Sequence, residues 1–374
     1  MVWPDMIQIM LTTRCNIRCK MCDVWKMEYP EEMTTAEVSD LIRQAVALGV
    51  QTIYFTGGEA LLRPDIIPLI KLAASFNVIT TINTNGILID DVMARELVSS
   101  GLHDVTISLD GASAQTHDYI RGKGVFEKAM QAFEHLQRAK NECKRDDFAI
   151  GSTCVITKHN LQELPALAEL VHSRGGNYIA YQPLVNNGYA RWETECNSKL
   201  WVGEEDIPQL EECFRALDRL KEKKIREGMS IDFMAEKTIQ HYRRQHRVNT
   251  CFAGYNRFFI NPKGDISFVC YESFGNVRTG TLRDAWLSEK AYELRKKIRC
   301  CNVNCTQFCS ERPQSEKLSE IHRCLYEPLK KLGSLENAFL EEIHRELGGL
   351  EGKTEAMTKA LEELQRLLND KIRE

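Results

Sequence analysis

No run in this 374-residue chain approaches the apolar length needed to span a bilayer, which removes a membrane-spanning helix from consideration. The first residues, Met1-Val2-Trp3-Pro4-Asp5, lack both a basic region and an apolar core, so no secretory signal is read there. An excess of one charge is missing too: the formal net charge is −4 with 27% charged residues, which gives no electrostatic reason to expect nucleic acid as a partner. With no export signal, the 14 cysteines argue for metal over disulfides, and the expected compartment is the cytoplasm. The length exceeds one typical domain and can bury a substantial core, so one large and one small domain are expected.

The most telling segment present is Cys15-Asn16-Ile17-Arg18-Cys19-Lys20-Met21-Cys22. Iron–sulfur clusters are ordinarily held by four thiolates, so three in one tight loop would hold three irons of a four-iron cluster and leave the fourth open for chemistry. By residue type alone a zinc knuckle or simple buried thiols fit as well. The flanking sequence supplies context. Met6-Ile7-Gln8-Ile9-Met10-Leu11 reads as a short strand that ends just before the loop. A helical stretch from Thr35 to Leu48 closes at Gly49, and the strand Thr52-Ile53-Tyr54-Phe55-Thr56 runs directly into Gly57-Gly58-Glu59. Two glycines after a strand permit a close backbone approach.

The three-then-two spacing of the cysteines and the Gly57-Gly58-Glu59 run resemble the radical S-adenosylmethionine (SAM) superfamily. In that family the cluster binds SAM through its amine and carboxylate and cleaves it reductively to a 5′-deoxyadenosyl radical, and the Gly-Gly-Glu backbone receives the methionyl amine. One departure is visible: Met21 stands where the family usually has an aromatic residue, and a thioether can still pack on an adenine face.

Strand and helix patterns then alternate. Strands over 78–82, 105–109, 150–156 and 178–181 end in Asn83-Thr84-Asn85-Gly86, Asp110-Gly111, Thr157-Lys158-His159-Asn160 and Gln182-Pro183. This predicts an α/β fold with a parallel sheet whose site gathers at the strands' C-terminal ends. Six such units before about residue 190 resemble the partial (β/α)6 TIM-type barrel of the family. By that resemblance Ser108 and Asp110 meet the SAM carboxylate or ribose, Asn83 and Asn85 lie near the ribose, and Asn160 lies near the adenine. Asn, Asp and Gly are equally the ordinary turn residues after a strand. His103, His117 and His159 lack partner spacing and are weak evidence for metal.

Seven of the cysteines crowd between Cys251 and Cys324, while Cys143, Cys154, Cys196 and Cys213 are scattered singly, as buried thiols usually are. Phe258-Phe259-Ile260 and Ile266-Ser267-Phe268-Val269 flank Asn261-Pro262-Lys263-Gly264-Asp265, a hairpin signal between Cys251 and Cys270. The helix-like Leu282 to Trp286 and the run Cys300 to Cys309 follow. Residues 251–310 resemble the SPASM/twitch extension, in which a hairpin and a helix hold one or two auxiliary iron–sulfur clusters. The spacing from Cys301 to Cys305 and the adjacent pair Cys300-Cys301 depart from the family's full pattern. We therefore expect one auxiliary [4Fe-4S] cluster on Cys251, Cys270, Cys301 and Cys305, with Cys300, Cys309 and Cys324 in reserve for a second. Four thiolates also suit zinc by ligand type.

The expected organisation is a radical SAM barrel over 1–200, a helical linker over 201–250, the auxiliary-cluster segment over 251–325 and a C-terminal amphipathic helical segment over 326–374. On the linker, Leu210, Phe214, Leu217 and Leu220 form one packing face. The resemblance implies hydrogen abstraction from an unactivated C–H bond, giving oxidation or epimerisation, with a one-electron donor such as flavodoxin or ferredoxin. Relatives that oxidise sulfatases carry Asp after the second cysteine of the extension; Tyr271 and then Glu272 stand here and are the candidate substrate-facing pair, with Cys196 as candidate hydrogen donor. The first strand starts within about ten residues, so no leader-peptide domain is expected. The expected substrate is therefore a small polar metabolite such as a sugar, aminocyclitol or nucleoside, the alternative being a peptide-modifying maturase. A non-catalytic zinc or iron–sulfur scaffold would leave Gly57-Gly58-Glu59 unexplained.

Overall fold

The computed structural model describes residues 4–29, 31–184, 199–243, 254–255, 257–268 and 272–299. Six strand–helix units open the chain: β1 (Met6–Met10), α1 (Thr35–Ala47), β2 (Thr52–Thr56), α2 (Ile66–Ala74), β3 (Ile79–Thr84), α3 (Asp91–Ser99), β4 (Asp104–Ser108), α4 (Ala114–Arg121), α5 (Val125–Cys143), β5 (Ala149–Ile156), α6 (Leu164–Ser173) and β6 (Tyr178–Pro183). All neighbouring pairs from β1 to β6 are parallel and lie in chain order. β3 runs through Asn83 and Thr84, which pair with Thr106 and Ile107, so Asn83 sits within the strand and not on the loop after it.

Local sequence accounts for the elements. Apolar β-branched residues recur every second position along the strands, and α1 begins at a reciprocal cap in which Glu37 N donates to Thr34 Oγ1 (3.2 Å) and Thr34 N donates to Glu37 Oε2 (2.7 Å). The alternation buries Ile7, Ile9, Ile53, Phe55, Ile82, Val105, Ile107, Ile150 and Ile179 completely on one face of the sheet. On the other face the registered residues are polar: Gln8 beside Tyr54, Tyr54 beside Thr81, Thr81 beside Asp104, and Gly151 beside Tyr178.

The segment expected to be only a linker contributes α7 (Ile207–Arg226), β7 (Ser230–Asp232) and α8 (Ala235–Tyr242). Leu210, Phe214 and Leu217 of α7 are buried, as its periodicity predicts. The three-residue β7 pairs in parallel with β6 and forms one edge of the sheet. The expected hairpin is formed by β8 (Arg257–Ile260) and β9 (Asp265–Ser267), with Asn261 Oδ1 accepting from Lys263 N (3.0 Å) and Asp265 N (2.9 Å) and Gly264 at φ +83°. β8 also pairs in parallel with β1, so the hairpin continues the same sheet, which ends at β10 (Gly275–Asn276). Helices α9 (Leu282–Leu287) and α10 (Glu289–Arg299) follow, and Leu282 N donates to Gln44 Oε1 of α1 at 2.8 Å. Among the described residues no helix is long and apolar enough to cross a membrane. The expected C-terminal helix lies outside the described residues.

Candidate metal and cofactor site

The loop leaving β1 is pinned at its root before it reaches Cys15. Thr12 Oγ1 and Thr13 N both donate to Glu32 Oε1, at 2.6 and 3.0 Å. Gly58 N donates to Thr12 O and Glu59 N to Arg14 O, each at 2.8 Å. A Cβ on Gly57 would lie 2.7 Å from Thr12 O, and one on Gly58 would lie 2.4 Å from Arg14 O. The close approach that both glycines permit is thus to the chain's own backbone, and it clamps the end of β2 to the start of the cysteine loop. Further along, Arg18 Nη1 donates to Cys15 O (2.7 Å) and Ile17 O (2.9 Å), Asn85 Nδ2 donates to Asn16 Oδ1 (2.7 Å), and Lys20 N donates to Ile120 O (2.9 Å). The Lys20 ammonium sits 3.1 Å from the centre of the Tyr119 ring.

Cys15, Cys19 and Cys22 are free thiols, Cys19 buried and the other two half-buried. Burial raises all three above the ordinary thiol value, Cys19 to about 12, and each of Cys15 and Cys19 is raised further by neighbouring thiols of the set. Arg121 opposes the rise at Cys19 and Cys22. Such thiols become thiolates when a cationic centre sits among them. Among the described residues no three His, Cys, Asp or Glu side chains converge on one point as the donors of a single ion would. A four-iron cluster asks for something else, one thiolate per iron, and three free thiols on one loop fit it.

Glu59 is buried, and its carboxylate accepts from Leu61 N (3.2 Å), Thr84 Oγ1 (2.9 Å) and Asn85 N (2.8 Å), locking the end of β3 to the end of β2. Burial raises its pKa, and these donors with Arg121 hold the rise in check. Asn85 is thereby fixed beside the cysteine loop. Ser108 Oγ reaches Asn83 Oδ1 at 3.4 Å, and Met21 is buried beside Cys22 in the chain. Asp110 and Asn160 are fully buried and spoken for by the protein itself. Asp110 Oδ2 accepts from Arg121 Nε (2.6 Å) and Oδ1 from Val155 N (2.8 Å). Asn160 Nδ2 donates to Asp110 O (2.8 Å) and Val155 O (2.9 Å), and its Oδ1 accepts from Thr157 N (2.8 Å).

Sequence reasoning missed Arg121, Glu32, Asn16 and Glu163. Glu163 accepts from Ala112 N, Ser113 N, Ser113 Oγ and Thr116 Oγ1, and so fixes the loop from β4 into α4. No local sequence signal marks Arg121, because its burial at the end of α4 shows only in the fold. Of the histidines, His117 Nδ1 accepts from Asp110 N (3.1 Å), His103 Nδ1 accepts from Thr80 N (3.2 Å), and His159 Nε2 lies 3.0 Å from Lys199 O. Cys251, Cys270, Cys301, Cys305, the reserve Cys300, Cys309 and Cys324, and Tyr271 and Cys196 lie outside the described residues. Glu272 is exposed, with Lys290 and Lys297 at 3.8 and 3.7 Å.

Deeper on the polar face, Asp104 Oδ1 accepts from Thr81 Oγ1 and Tyr178 OH, both at 2.7 Å, and Thr106 Oγ1 lies 2.5 Å from Tyr178 OH. Burial raises the Asp104 carboxyl, and these three hydroxyls oppose the rise.

Residues 9–171 match the radical SAM superfamily model, and residues 251–310 match an iron–sulfur cluster-binding domain model, SPASM. An AdoMet-dependent heme synthase of Methanosarcina barkeri is 26% identical over 88% of this chain and 98% of its own length. A PqqA peptide cyclase of Xanthomonas campestris is 26% identical over 77% of this chain and 75% of its own. Among solved structures, native anSMEcpe with bound AdoMet and Cp18Cys peptide superposes with a TM-score of 0.63 at 17% identity, covering 88% of this chain and 98% of that one. That likeness gives the fold, a TIM-like partial barrel followed by a SPASM segment.

Proposed function

The chain belongs to the radical SAM superfamily, with a SPASM segment after its partial barrel, and on that premise we propose that it modifies a peptide by abstracting hydrogen from one of its C–H bonds. Its cofactors are a SAM-binding [4Fe-4S] cluster, auxiliary iron–sulfur cluster and SAM itself. Together, when bound, they supply the 5′-deoxyadenosyl radical. The protein's part is to hold and orient. Cys15, Cys19 and Cys22 would hold three irons, and the clamp of Gly58 and Glu59 on Thr12 and Arg14 keeps their loop in place. Glu59 sets the end of β3, and with it Asn83 and Asn85, at the SAM-facing edge.

The observation that carries the peptide reading is the alignment with a peptide cyclase through both the barrel and the SPASM segment, over 77% of this chain. The cyclase alignment outweighs the small polar metabolite that the sequence pointed to. Electrons for each turnover are assigned to a flavodoxin- or ferredoxin-type donor.

A second reading is favoured by the end-to-end alignment with the heme synthase, which covers 98% of that protein. It predicts that an iron porphyrin, and not a peptide, is the substrate.

The test is anaerobic reconstitution with iron and sulfide, addition of SAM and a strong one-electron reductant, and incubation either with synthetic candidate peptides or with an iron coproporphyrin. We expect 5′-deoxyadenosine together with a change in peptide mass. In the Cys15/Cys19/Cys22→Ala protein, iron should fall by about four per chain and product should stop. A peptide left unchanged while the porphyrin is altered would overturn the peptide reading in favour of the second.

A further inference from the structure

We propose that the buried Asp110–Arg121 pair sets the reduction potential of the cluster on Cys15, Cys19 and Cys22, with Arg121 favouring the reduced form and Asp110 moderating it. The inference rests on the radical SAM reading of that loop. Arg121 is the last residue of α4 and is 8% exposed. Its place is fixed from two sides. Ile120, the residue before it, accepts from Lys20 N inside the cysteine loop at 2.9 Å. Its own Nε donates to Asp110 Oδ2 at 2.6 Å.

Asp110, fully buried, is itself immobilised: Val155 N donates to Oδ1, Asn160 Nδ2 donates to its carbonyl, and its N–H donates to His117 Nδ1. Only Nε of the guanidinium is used in the pair, and among the described residues the terminal nitrogens have no hydrogen-bond partner. The Lys20–Ile120 hydrogen bond holds this cation against the loop that carries Cys19 and Cys22, and Asp110 is held beside it with the opposite charge.

Reduction adds one electron to a cluster already made negative by its thiolates. A fixed buried positive charge lowers the cost of that electron, and a fixed buried negative charge raises it, because little water intervenes to screen either. The pair is close to neutral as a whole, so removing one member leaves the other's charge exposed to the cluster. The two single substitutions must therefore move the potential in opposite directions. A merely structural pair would behave differently, since breaking it from either side would loosen the same contact and shift the site the same way.

The experiment is a potentiometric titration of the reconstituted holoenzyme followed by EPR. The Cys15/Cys19/Cys22→Ala protein records the auxiliary signal for subtraction. At the wild-type midpoint, Arg121→Gln is expected to lower the ratio of reduced to oxidised cluster by about tenfold, a shift of about 59 mV for a one-electron couple. Asp110→Asn should raise that ratio by a similar factor, and Arg121→Lys should stay within about twofold of wild type because the charge is kept.

Should Arg121→Gln fail to take up iron, Asp110→Asn and Arg121→Lys decide the matter: an upward shift in the first with little change in the second upholds the proposal. Shifts of the same sign in both neutral variants, or none in Asp110→Asn, overturn it. Absence of any signal that depends on Cys15, Cys19 and Cys22 in the wild-type protein would instead remove the radical SAM reading, and this inference with it.

Discussion

Gly58→Ala tests the account of the cysteine loop most directly, because the obstacle is backbone and cannot swing aside. The added Cβ would lie 2.4 Å from Arg14 O and 2.5 Å from Thr13 O, where ordinary contact begins at 3.4 Å. Relief requires the end of β2 and the loop root to part by about 1 Å, which stretches bonds of 2.8 Å beyond hydrogen-bonding range. Two such bonds lie in the path, Gly58 N to Thr12 O and Glu59 N to Arg14 O.

Their net loss costs about 0.5–1.5 kcal/mol each and the overpacking about 1–3 kcal/mol more, so a destabilisation of about 2–6 kcal/mol is expected. Cys15 follows Arg14 directly, so the displacement reaches the first proposed iron ligand, and iron per chain should fall with stability. The assay is the urea midpoint, together with iron content after reconstitution. Gly280→Ala serves as control, since a Cβ there meets nothing within 4 Å. Unchanged iron and a stability within about 0.5 kcal/mol of wild type in Gly58→Ala would refute the clamp, since surface-like substitutions fall in that range.

Two further outcomes follow from buried polar groups. His117 is fully buried, and burial, reinforced by Arg121, pushes its pKa down to about 3 from the ordinary 6.5. A depressed histidine stabilises the fold fully above pH 6.5 and loses that contribution as pH falls toward 3; the loss is on the order of 4 kcal/mol. The urea midpoint of metal-free protein should drop between pH 7 and 4, and His117→Gln should flatten the curve; parallel curves would contradict the assignment. Asn160→Ala removes three hydrogen bonds, two of them among buried groups, and should cost about 2–4 kcal/mol in the same assay, whereas a change below about 1 kcal/mol would show those groups to be satisfied otherwise.

Much of the frame was legible because its signals are local. Alternating apolar residues and the turn chemistry after each strand marked β1 to β6, and Asn261 with Gly264 marked the hairpin. What escaped was long-range or brief. β7 spans only Ser230–Asp232 and sits between two charged helices, so it leaves almost no periodic trace. The pairing of β8 with β1 joins residues about 250 positions apart, and no local pattern encodes a partner at that distance.

The same limit applied at the site. Asp110 and Asn160 were legible as polar residues after strands, but nothing in their neighbourhood revealed that Arg121 and Val155 would claim them. Conversely, the need for glycine at 57 and 58 was legible as a need for closeness, and the structure supplies the partner as Thr12 to Arg14.

The sheet's two faces divide its labours in a way that bears on how such a chain changes over generations. In a barrel whose inward side chains interlock in layers, altering one of them disturbs the packing of the rest. Here the apolar burial sits on the other face, with Ile53, Phe55, Ile82 and Ile107, while Gln8, Tyr54, Thr81 and Thr106 contribute little to it. Outside the hydrogen-bonded set of Asp104, Thr81, Thr106 and Tyr178, residues on the polar face can accordingly be exchanged without disturbing the apolar packing on the opposite face, leaving the cysteine loop and its clamp untouched. A scaffold arranged this way is free to acquire new substrates by drift on one surface while selection on stability acts on the opposite one.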